Sequence, residues 1–369
     1  MKILINFNFN CISMLLIISH EGNLRQKYSD PYFNKIKNSL EKLRDTIKNE
    51  GINTSLVFVD NPQSTNPINL TKVQNDSSDA ILDLIQQFYK NNTNLKYLLI
   101  VGGHQIIPFH TIQQSHVDNS DHLVYSDAPY ASSDNDFLLP EWIVGRIPDG
   151  KSNDSNFLIS ELETAINAHS SHTNHKVKSM GCVASSWQLP SQRIYENISQ
   201  SHSLLINPST TVSSNNIKDC LYHYFNLHGN QTSKFWYGAD GRNLSAAVST
   251  DVINTTKVPN AIVISQACYG AYIIQKNPDN AISLMYLKMG AKCVIGSTAT
   301  AYGNNGTSPI LYYSDLIADK FLRKIACGKK CGDAFIETKI EYYQESLQNN
   351  DKYAEKTLIE FVLYGDPTL

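Results

Sequence analysis

The sequence lacks the features that would point to a membrane or to a nucleic acid. No segment approaches the roughly 20 consecutive apolar residues of a membrane span. Its 31 basic and 34 acidic residues give a net charge of −3 and form no long basic run or stripe. Nucleic-acid binding normally needs a clustered positive surface, and surface attachment to a membrane favours a basic amphipathic helix. The sequence therefore predicts neither a nucleic-acid partner nor a membrane partner.

Cysteine is sparse as well. The chain has seven cysteines in 369 residues, an odd number in a protein too long to need disulfide staples. This favours free thiols in a reducing compartment. Cys327 and Cys331 have no second Cys or His pair at zinc-site spacing, so we interpret them as cysteines at helix ends. Gly102-Gly103 is followed by no phosphate-binding motif. We therefore expect no metal and no cofactor.

The first 19 residues contain apolar stretches that are compatible with a signal peptide. However, Asn6, Asn8 and Asn10 interrupt them, and no small-x-small cleavage site follows. We interpret Met14–Ser19 as a first buried strand. A cytoplasmic location is expected, with secretion as the alternative.

Apolar residues make up 41% of the chain, which is typical of a globular protein with a large core. Near-continuous apolar runs, typical of parallel strands buried on both faces, alternate with segments of helical spacing. The predicted strands are 14–19, 55–59, 95–101, 142–147, 179–184, 222–227, 261–267 and 293–297, and the predicted helices are 31–49, 81–89, 158–169, 194–205, 282–289, 309–325 and 333–346. This alternation predicts a doubly wound α/β fold. We divide it into an N-terminal α/β subdomain (1–150), a helical linker region (151–175) and a second subdomain (176–369).

Two of the predicted strands end in residues that can carry chemistry. One strand leads into His228-Gly229, and another leads into Gln266-Ala267-Cys268. The carboxyl ends of parallel strands share one edge of the sheet, where ligands bind, so an imidazole and a thiol are predicted to meet there. A thiolate attacks an acyl carbon, and a nearby imidazole forms the thiolate or protonates the leaving amine. Gly229 allows a close turn of the backbone, whose N–H can face an oxyanion.

The segment 266–270 is close to a known nucleophile signature. Gln266-Ala267-Cys268-Tyr269-Gly270 departs at one position from the caspase pattern Gln-Ala-Cys-[Arg/Gln/Gly]-Gly, and His228 lies 40 residues upstream. A single cysteine after a strand is more often an inert buried thiol, and a single His-Gly is more often a turn. The two motifs together, each after an apolar run, favour the catalytic interpretation.

Several blocks of the chain resemble the gingipain family of cysteine peptidases, which are distant relatives of the caspases. The blocks follow the family's order and are 98–103 with 107–109, 126–127 leading to 139–148, 228–229, 266–268, 294–298 and 363–369. The resemblance implies a caspase-like fold, with mostly parallel sheets flanked by helices in two adjacent α/β subdomains and the catalytic pair in the second. It also implies an oxyanion hole made by the backbone N–H groups of Gly229 and Cys268. The immunoglobulin-like and sorting modules of secreted gingipains do not appear, which weakens an inference of secretion.

The same resemblance bears on substrate choice. Gingipains that select Arg or Lys before the scissile bond use an acidic pocket residue, and the matching position here falls at Gln192, beside Arg193. The other residues assigned to the substrate pocket are Gln266, Thr298 and Tyr302. Because a buried cation needs a paired anion, we predict weak or no preference for Arg and Lys, and a polar or small residue instead. Two alternatives are an acidic substrate residue bound by Arg193, and a different alignment in which Asp240 or another acid fills the pocket.

The function predicted is that of a cysteine endopeptidase that cleaves peptide bonds through a Cys-His dyad and a thioester. Its partners are protein or peptide substrates, and any activating partner is unknown. The alternatives are a catalytically silent caspase-like scaffold and a thiol amidase or acyl-transferase. Two weaker candidates remain. One is an acidic group, interpreted as a solvated loop with a calcium site as the alternative: Asp127, Asp134, Asn135, Asp136 and Glu141. The other is a set of three histidines, interpreted as surface residues: His104, His110 and His122.

Overall fold

The computed structural model describes residues 13–114, 121–134, 136–170, 178–199, 204–240, 243–347 and 351–369. The predictions made for residues 1–12, for Asn135 and for the last five residues of the linker region lie outside these ranges. In the described residues the strands are β1 Met14–Ser19, β2 Asn53–Phe58, β3 Leu95–Val101, β4 His110–Gln113, β5 Leu123–Ser126, β6 Ile143–Ile147, β7 Ser179–Ala184, β8 Leu204–Asn207, β9 Tyr222–Asn226, β10 Phe235–Asp240, β11 Asn243–Ser249, β12 Ile262–Ser265, β13 Cys293–Ser297 and β14 Phe361–Gly365.

The helices lie between these strands and pack on the sheet. They are α1 Glu21–Asn49, α2 Pro62–Thr65, α3 Ser78–Asn91, α4 Asn156–His169, α5 Gln188–Tyr195, α6 Ser214–Ile217, α7 Thr250–Ile253, α8 Ile282–Lys288, α9 Ser314–Ala326, α10 Cys331–Ser346 and α11 Lys352–Glu360. One apolar cluster surrounds β1 and β3, and two others cover β9, β12 and β13, one with α8 and one with α5, α9 and α10. Burial on both faces explains why the strands are continuous apolar runs.

Ten of the described strands form one sheet in the order β2-β1-β3-β6-β14-β13-β12-β9-β7-β8. Neighbours are mostly parallel, whereas β14 runs antiparallel to β13. The fold is thus α/β, with a large and mostly parallel sheet flanked by helices. Four strands of 1–150, namely β2, β1, β3 and β6, occupy one end of this sheet, whereas β4 and β5 pair separately. β14 pairs with both β6 and β13. The division at residue 150 remains a prediction.

Several elements differ from the sequence-based expectation. The helix predicted for 194–205 is wrong, because α5 ends at Tyr195 and β8 begins at Leu204. The helix predicted for 309–325 begins only at Ser314, and the one predicted for 31–49 begins at Glu21. Two antiparallel hairpins, β4–β5 and β10–β11, and helix α11 were not predicted. All three lie outside the apolar alternation that marks the central strands.

Arg146 is an arginine within the buried strand β6, and its buried partners explain why it is tolerated there. Its side chain is 0% exposed, and its guanidinium donates to the carbonyl oxygens of Gly102 and Ile107 at 2.7 Å each. Both carboxylate oxygens of Asp127 accept from the same guanidinium. A buried cation is stable only with such partners, and here they fix the loop that follows β3.

The terminal Gly-Asp-Pro turn is held by a buried histidine. His169, at the end of α4, contacts Asp366 Oδ2 through Nε2 at 3.1 Å and Glu50 Oε1 through Nδ1 at 2.9 Å. Burial acts to lower the pKa of His169, but the hydrogen bonds and the charges of Asp366 and Glu50 outweigh it and raise the pKa above its ordinary value. The folded protein therefore favours the charged form of His169 more than the unfolded chain does.

A raised pKa in the folded state gives a stabilisation that is present below the unfolded pKa and lost as pH rises through the folded pKa. We therefore expect the free energy of unfolding of the wild type to exceed that of His169→Gln by about 1–3 kcal/mol near pH 6, where the difference is largest. The difference should shrink as the pH is raised toward 9. Melting curves of both proteins across this range test the prediction, and a difference that grows with pH would contradict it.

Candidate functional site

Cys268 and His228 follow two neighbouring parallel strands, β12 and β9, at matching positions. Ser265 of β12 is in register with Phe225 of β9, and each functional residue lies three positions beyond that pair. The hydrogen bond from Gln266 N to Phe225 O, at 2.9 Å, extends the pairing past the end of β12. The local sequence therefore places both side chains above the same edge of the sheet, as predicted from the two strand ends.

Gly229 is where the two motifs touch. A β-carbon built on Gly229 would lie 1.9 Å from the carbonyl oxygen of Cys268 and 3.2 Å from Ala267 Cβ. No other amino acid fits at this position without moving the backbone that carries the cysteine. Within the described residues, the backbone N–H groups of Gly229 and Cys268 have no hydrogen-bond partner, whereas Tyr269 N donates to Ala299 O at 2.8 Å. Two free N–H donors therefore lie where the two motifs meet.

The thiol and the imidazole are both uncharged near pH 7. Burial raises the pKa of the Cys268 thiol to about 11, and Sγ donates weakly to Ala301 O at 3.6 Å. Burial lowers the pKa of His228. A neutral thiol and a neutral imidazole therefore lie at the same edge of the sheet, and forming the thiolate requires transfer of a proton.

Trp187 was missed by sequence reasoning. It lies in the turn after β7, the strand next to β9, and its ring packs on the imidazole of His228 with 4.4 Å between the centroids. The backbone of His228 is fixed by a pair of hydrogen bonds with Tyr237, at 2.7 and 2.8 Å. Within the described part of the chain, no carboxylate contacts the His228 ring. The signal available in the sequence was an aromatic residue three positions beyond a strand that ends at the same edge.

The segment 298–302, which follows β13, lies beside Cys268 and is held by buried charges. Asp121 Oδ2 accepts from Thr300 N at 2.7 Å, and Lys356 Nζ donates to Thr300 O at 2.7 Å and to Asp121 Oδ2 at 2.8 Å. Lys356 also pairs with Glu360, 3.3 Å away. The exposed fractions of these three side chains are 0–3%. The N-terminal part of the chain thus supplies one of the groups that position this segment.

The predicted substrate-pocket residues separate into two groups. Gln266 and Thr298 are buried, 4% and 2% exposed, and their assignment to the substrate pocket stays a prediction. The side-chain amide of Gln266 accepts a hydrogen bond from Tyr224 Oη and donates one to Asp315 Oδ1. Thr298 Oγ1 donates to the carbonyl oxygen of Tyr125. Gln192, Arg193 and Tyr302 keep exposed surface. They stay predictions, and the Arg193 guanidinium donates to Pro309 O at 3.2 Å.

The acidic and histidine candidates have other roles. Asp127 is buried against Arg146, so the solvated-loop interpretation is wrong for this residue. His110 is only 7% exposed and packs on Tyr130, which corrects its assignment to the surface, whereas His122 is exposed. Among the residues that the structure describes, no group of three or more His, Cys, Asp or Glu could hold a metal ion, and no helix is long and apolar enough to cross a membrane.

Comparison with known proteins gives one sequence family and several similar folds. The family described as peptidase family C25 matches residues 12–369. The crystal structure of the Arg-specific cysteine proteinase gingipain R (RgpB) is 16% identical, with 97% of this chain and 77% of that chain covered and a TM-score of 0.61. The complex of the pro- and mature domains of Porphyromonas gingivalis RgpB gives 16% identity, 97% and 79% coverage and a TM-score of 0.61. These two likenesses show the fold. No curated protein sequence matches.

Proposed function

The chain belongs to peptidase family C25 and is a cysteine-type peptidase that acts on protein substrates, and from this premise we propose that Cys268 is its nucleophile and His228 its proton-transfer partner. The observation that carries the proposal is the contact of the two motifs, in which only a glycine at 229 fits against the carbonyl of Cys268. That backbone contact brings His228, Cys268 and two free N–H donors to one edge of the sheet.

In the proposed reaction, the proton of the Cys268 thiol passes to the imidazole of His228 as Sγ attacks the carbonyl carbon of the substrate. The negative charge then develops on the carbonyl oxygen, where the N–H groups of Gly229 and Cys268 can stabilise it. The imidazolium returns its proton to the leaving amine, and a thioester remains on Sγ. Water hydrolyses the thioester and regenerates the thiol. We propose an endopeptidase whose substrate approaches the edge of the sheet at which β9 and β12 end.

The role of Trp187 in this reaction is to hold the imidazole. A ring that packs on one face of His228 restricts its rotation without adding charge, so the base keeps its lowered pKa. The two hydrogen bonds with Tyr237 fix the backbone of His228. Orientation of the base is therefore supplied by packing within the described residues.

Selective labelling of Cys268 tests the nucleophile. We expect a peptidyl electrophile to modify Cys268 in the folded protein and to spare the other cysteines, with peptide mapping by mass spectrometry as the measurement. Cys220 is the matched control because it is also half-buried, and burial raises its pKa. Modification spread over Cys220 and the exposed Cys327, with Cys268 unmodified, would remove the proposed nucleophile.

The segments proposed to line the pocket for the residue before the scissile bond contain no acid. These segments are 185–193, 266–268 and 298–306. The nearby carboxylate of Asp315 is 1% exposed and already accepts from Gln266 Nε2 and Asn304 N at 2.7 Å each. Arg193 is the charged residue of the three segments. The pocket therefore offers a basic substrate side chain no free counter-ion.

We expect a profile of fluorogenic peptides that differ only before the scissile bond to show little preference for Arg or Lys. Small and polar residues should be cleaved at least as fast, because an unpaired buried cation is costly. An Arg193→Gln variant should abolish any preference for Asp or Glu that the wild type has. A dominant preference for Arg or Lys would show that an acid, such as Asp240, reaches the pocket.

A further inference from the structure

A row of aromatic rings leads away from Cys268 along the edge of the sheet. Tyr269, the next residue, contacts Tyr272 at 6.0 Å between ring centroids, and Tyr272 contacts Tyr125 at 5.9 Å. Tyr125 contacts His104 at 5.4 Å. All three contacts are edge-to-face. We call these four residues the aromatic row.

Loops from both parts of the chain build this surface. Tyr269 and Tyr272 lie on the loop after β12, which reaches the loop after β6 through the hydrogen bond from Lys151 N to Lys276 O at 2.7 Å. Tyr125 lies on β5, and its carbonyl oxygen accepts from Thr298 Oγ1 at 2.6 Å. The aromatic row therefore rests on the same segment, 298–302, that lies beside Cys268.

The rings are placed for contact with a ligand. Each is only partly buried, and the hydroxyl groups of Tyr125 and Tyr272 have no hydrogen-bond partner among the described residues. Tyr269 has a φ of 57°, a left-handed conformation that is strained for a bulky residue. Half-exposed tyrosines with free hydroxyls give contact area and hydrogen bonds at a small cost in side-chain entropy.

The row ends in a cleft. His104 lines an open depression of about 440 Å³ whose other lining residues are mainly polar: Asn23, Gln26, Lys27, Asp76, Gln105, Ile106 and Pro108. The three centroid distances, laid end to end, span at most the length of about five residues of an extended chain, at roughly 3.3 Å per residue. An extended peptide that begins at Cys268 can thus follow the rings and place its last side chain in the depression.

We propose that the aromatic row and the depression at His104 form an extended binding track for the substrate polypeptide on one side of the scissile bond. This proposal rests on the proposed function. It makes the substrate an extended segment of several residues, and it distinguishes the protein from an amidase or acyl-transferase that recognises only the group at the reacting carbon.

Substrate length tests the track. One short fluorogenic peptide is compared with two versions that are extended by five residues, one on each side of the scissile bond. We expect one extension to raise kcat/KM by about tenfold, chiefly through KM, and the other to change it little. In Tyr272→Ala and Tyr125→Ala, the ratio of long to short substrate should fall from about ten to about one.

Tyr343→Ala is the matched control, because Tyr343 is also half-buried but lies on α10, and its ratio should stay at the wild-type value. The ratio is internal to each protein, so a general loss of activity does not imitate the effect. A wild-type protein that cleaves short and long peptides equally well overturns the track and leaves the peptidase intact. Absence of hydrolysis of every peptide by wild type would instead count against the proposed function.

Discussion

Cys268→Ala is expected to lower peptide hydrolysis by about 10⁴-fold or more while leaving the fold unchanged, because the thiol forms the covalent intermediate. His228→Ala should produce nearly the same loss. The double variant should be no worse than either single variant, since a nucleophile and its base act as one unit. Steady-state rates on one peptide, with circular dichroism to verify folding, provide the measurement.

The control for this experiment is Cys220→Ala. Cys220 is half-buried like Cys268, and its thiol donates to the backbone carbonyl of Asn216 at 3.4 Å. Removing it changes the thiol count by one without touching the proposed site, so hydrolysis should stay at the wild-type rate. Hydrolysis at the wild-type rate by purified Cys268→Ala would exclude Cys268 as the nucleophile.

Lys356→Met is expected to lower the free energy of unfolding more than His169→Gln or Lys324→Met does. The substitution leaves Asp121 and Glu360 buried without their cation, and removing one partner of a buried ion pair costs about 3–5 kcal/mol. Burial raises the pKa of Glu360 to about 8 even with Lys356 present. Without Lys356 both carboxyl groups should titrate at higher pH, so the loss of stability should be greater at pH 8.5 than at pH 5.5.

The same substitution should impair catalysis, because Lys356 and Asp121 hold Thr300 from both sides, next to the Ala301 carbonyl that accepts from Cys268. We expect kcat/KM to fall by about tenfold or more at a temperature where the variant remains folded. Denaturant unfolding and hydrolysis rates at the two pH values are the measurements.

Lys324→Met is the matched control for this variant. Lys324 is also largely buried and pairs with Glu341 at 2.7 Å, but it lies on α9. Adding Glu360→Gln to Lys356→Met should recover more of the lost stability at pH 8.5 than at pH 5.5, because the side chain at position 360 then cannot ionise as the pH rises toward the pKa of Glu360. If Lys356→Met and Lys324→Met lose stability and activity to the same extent, the charges around Lys356 have no special role at this site.

Much of the sheet could be predicted because its strands carry their own signal. β1, β3, β7 and β13 have the predicted bounds, since a strand buried on both faces must be apolar at nearly every position. The prediction failed where local patterns are ambiguous. The segment 194–205 has apolar residues at helical spacing, yet β8 begins at Leu204 and pairs with β7. An edge strand of four residues carries too little pattern to be recognised.

The positions of Cys268, His228 and Gly229 were predictable because short motifs at strand ends determine them, and the topology of a parallel sheet brings such ends together. Their catalytic roles remain a proposal. Gln266 belongs to the same motif, but the sequence could not reveal that its amide is used internally, by Tyr224 and Asp315. Those partners lie 42 and 49 residues away along the chain.

By itself, the sequence determined the α/β class and the two motifs, because apolar periodicity and strand-end residues are local properties of the chain, and its short blocks carried the resemblance to the family. Only the tertiary structure decided that Trp187 packs on His228 and that Asp121 and Lys356, 235 residues apart, hold the segment beside Cys268. Burial is the physical reason. An isolated Asp or Lys in a sequence reads as a solvated charge, and it becomes part of a site only when folding removes water and leaves the other charge as its partner.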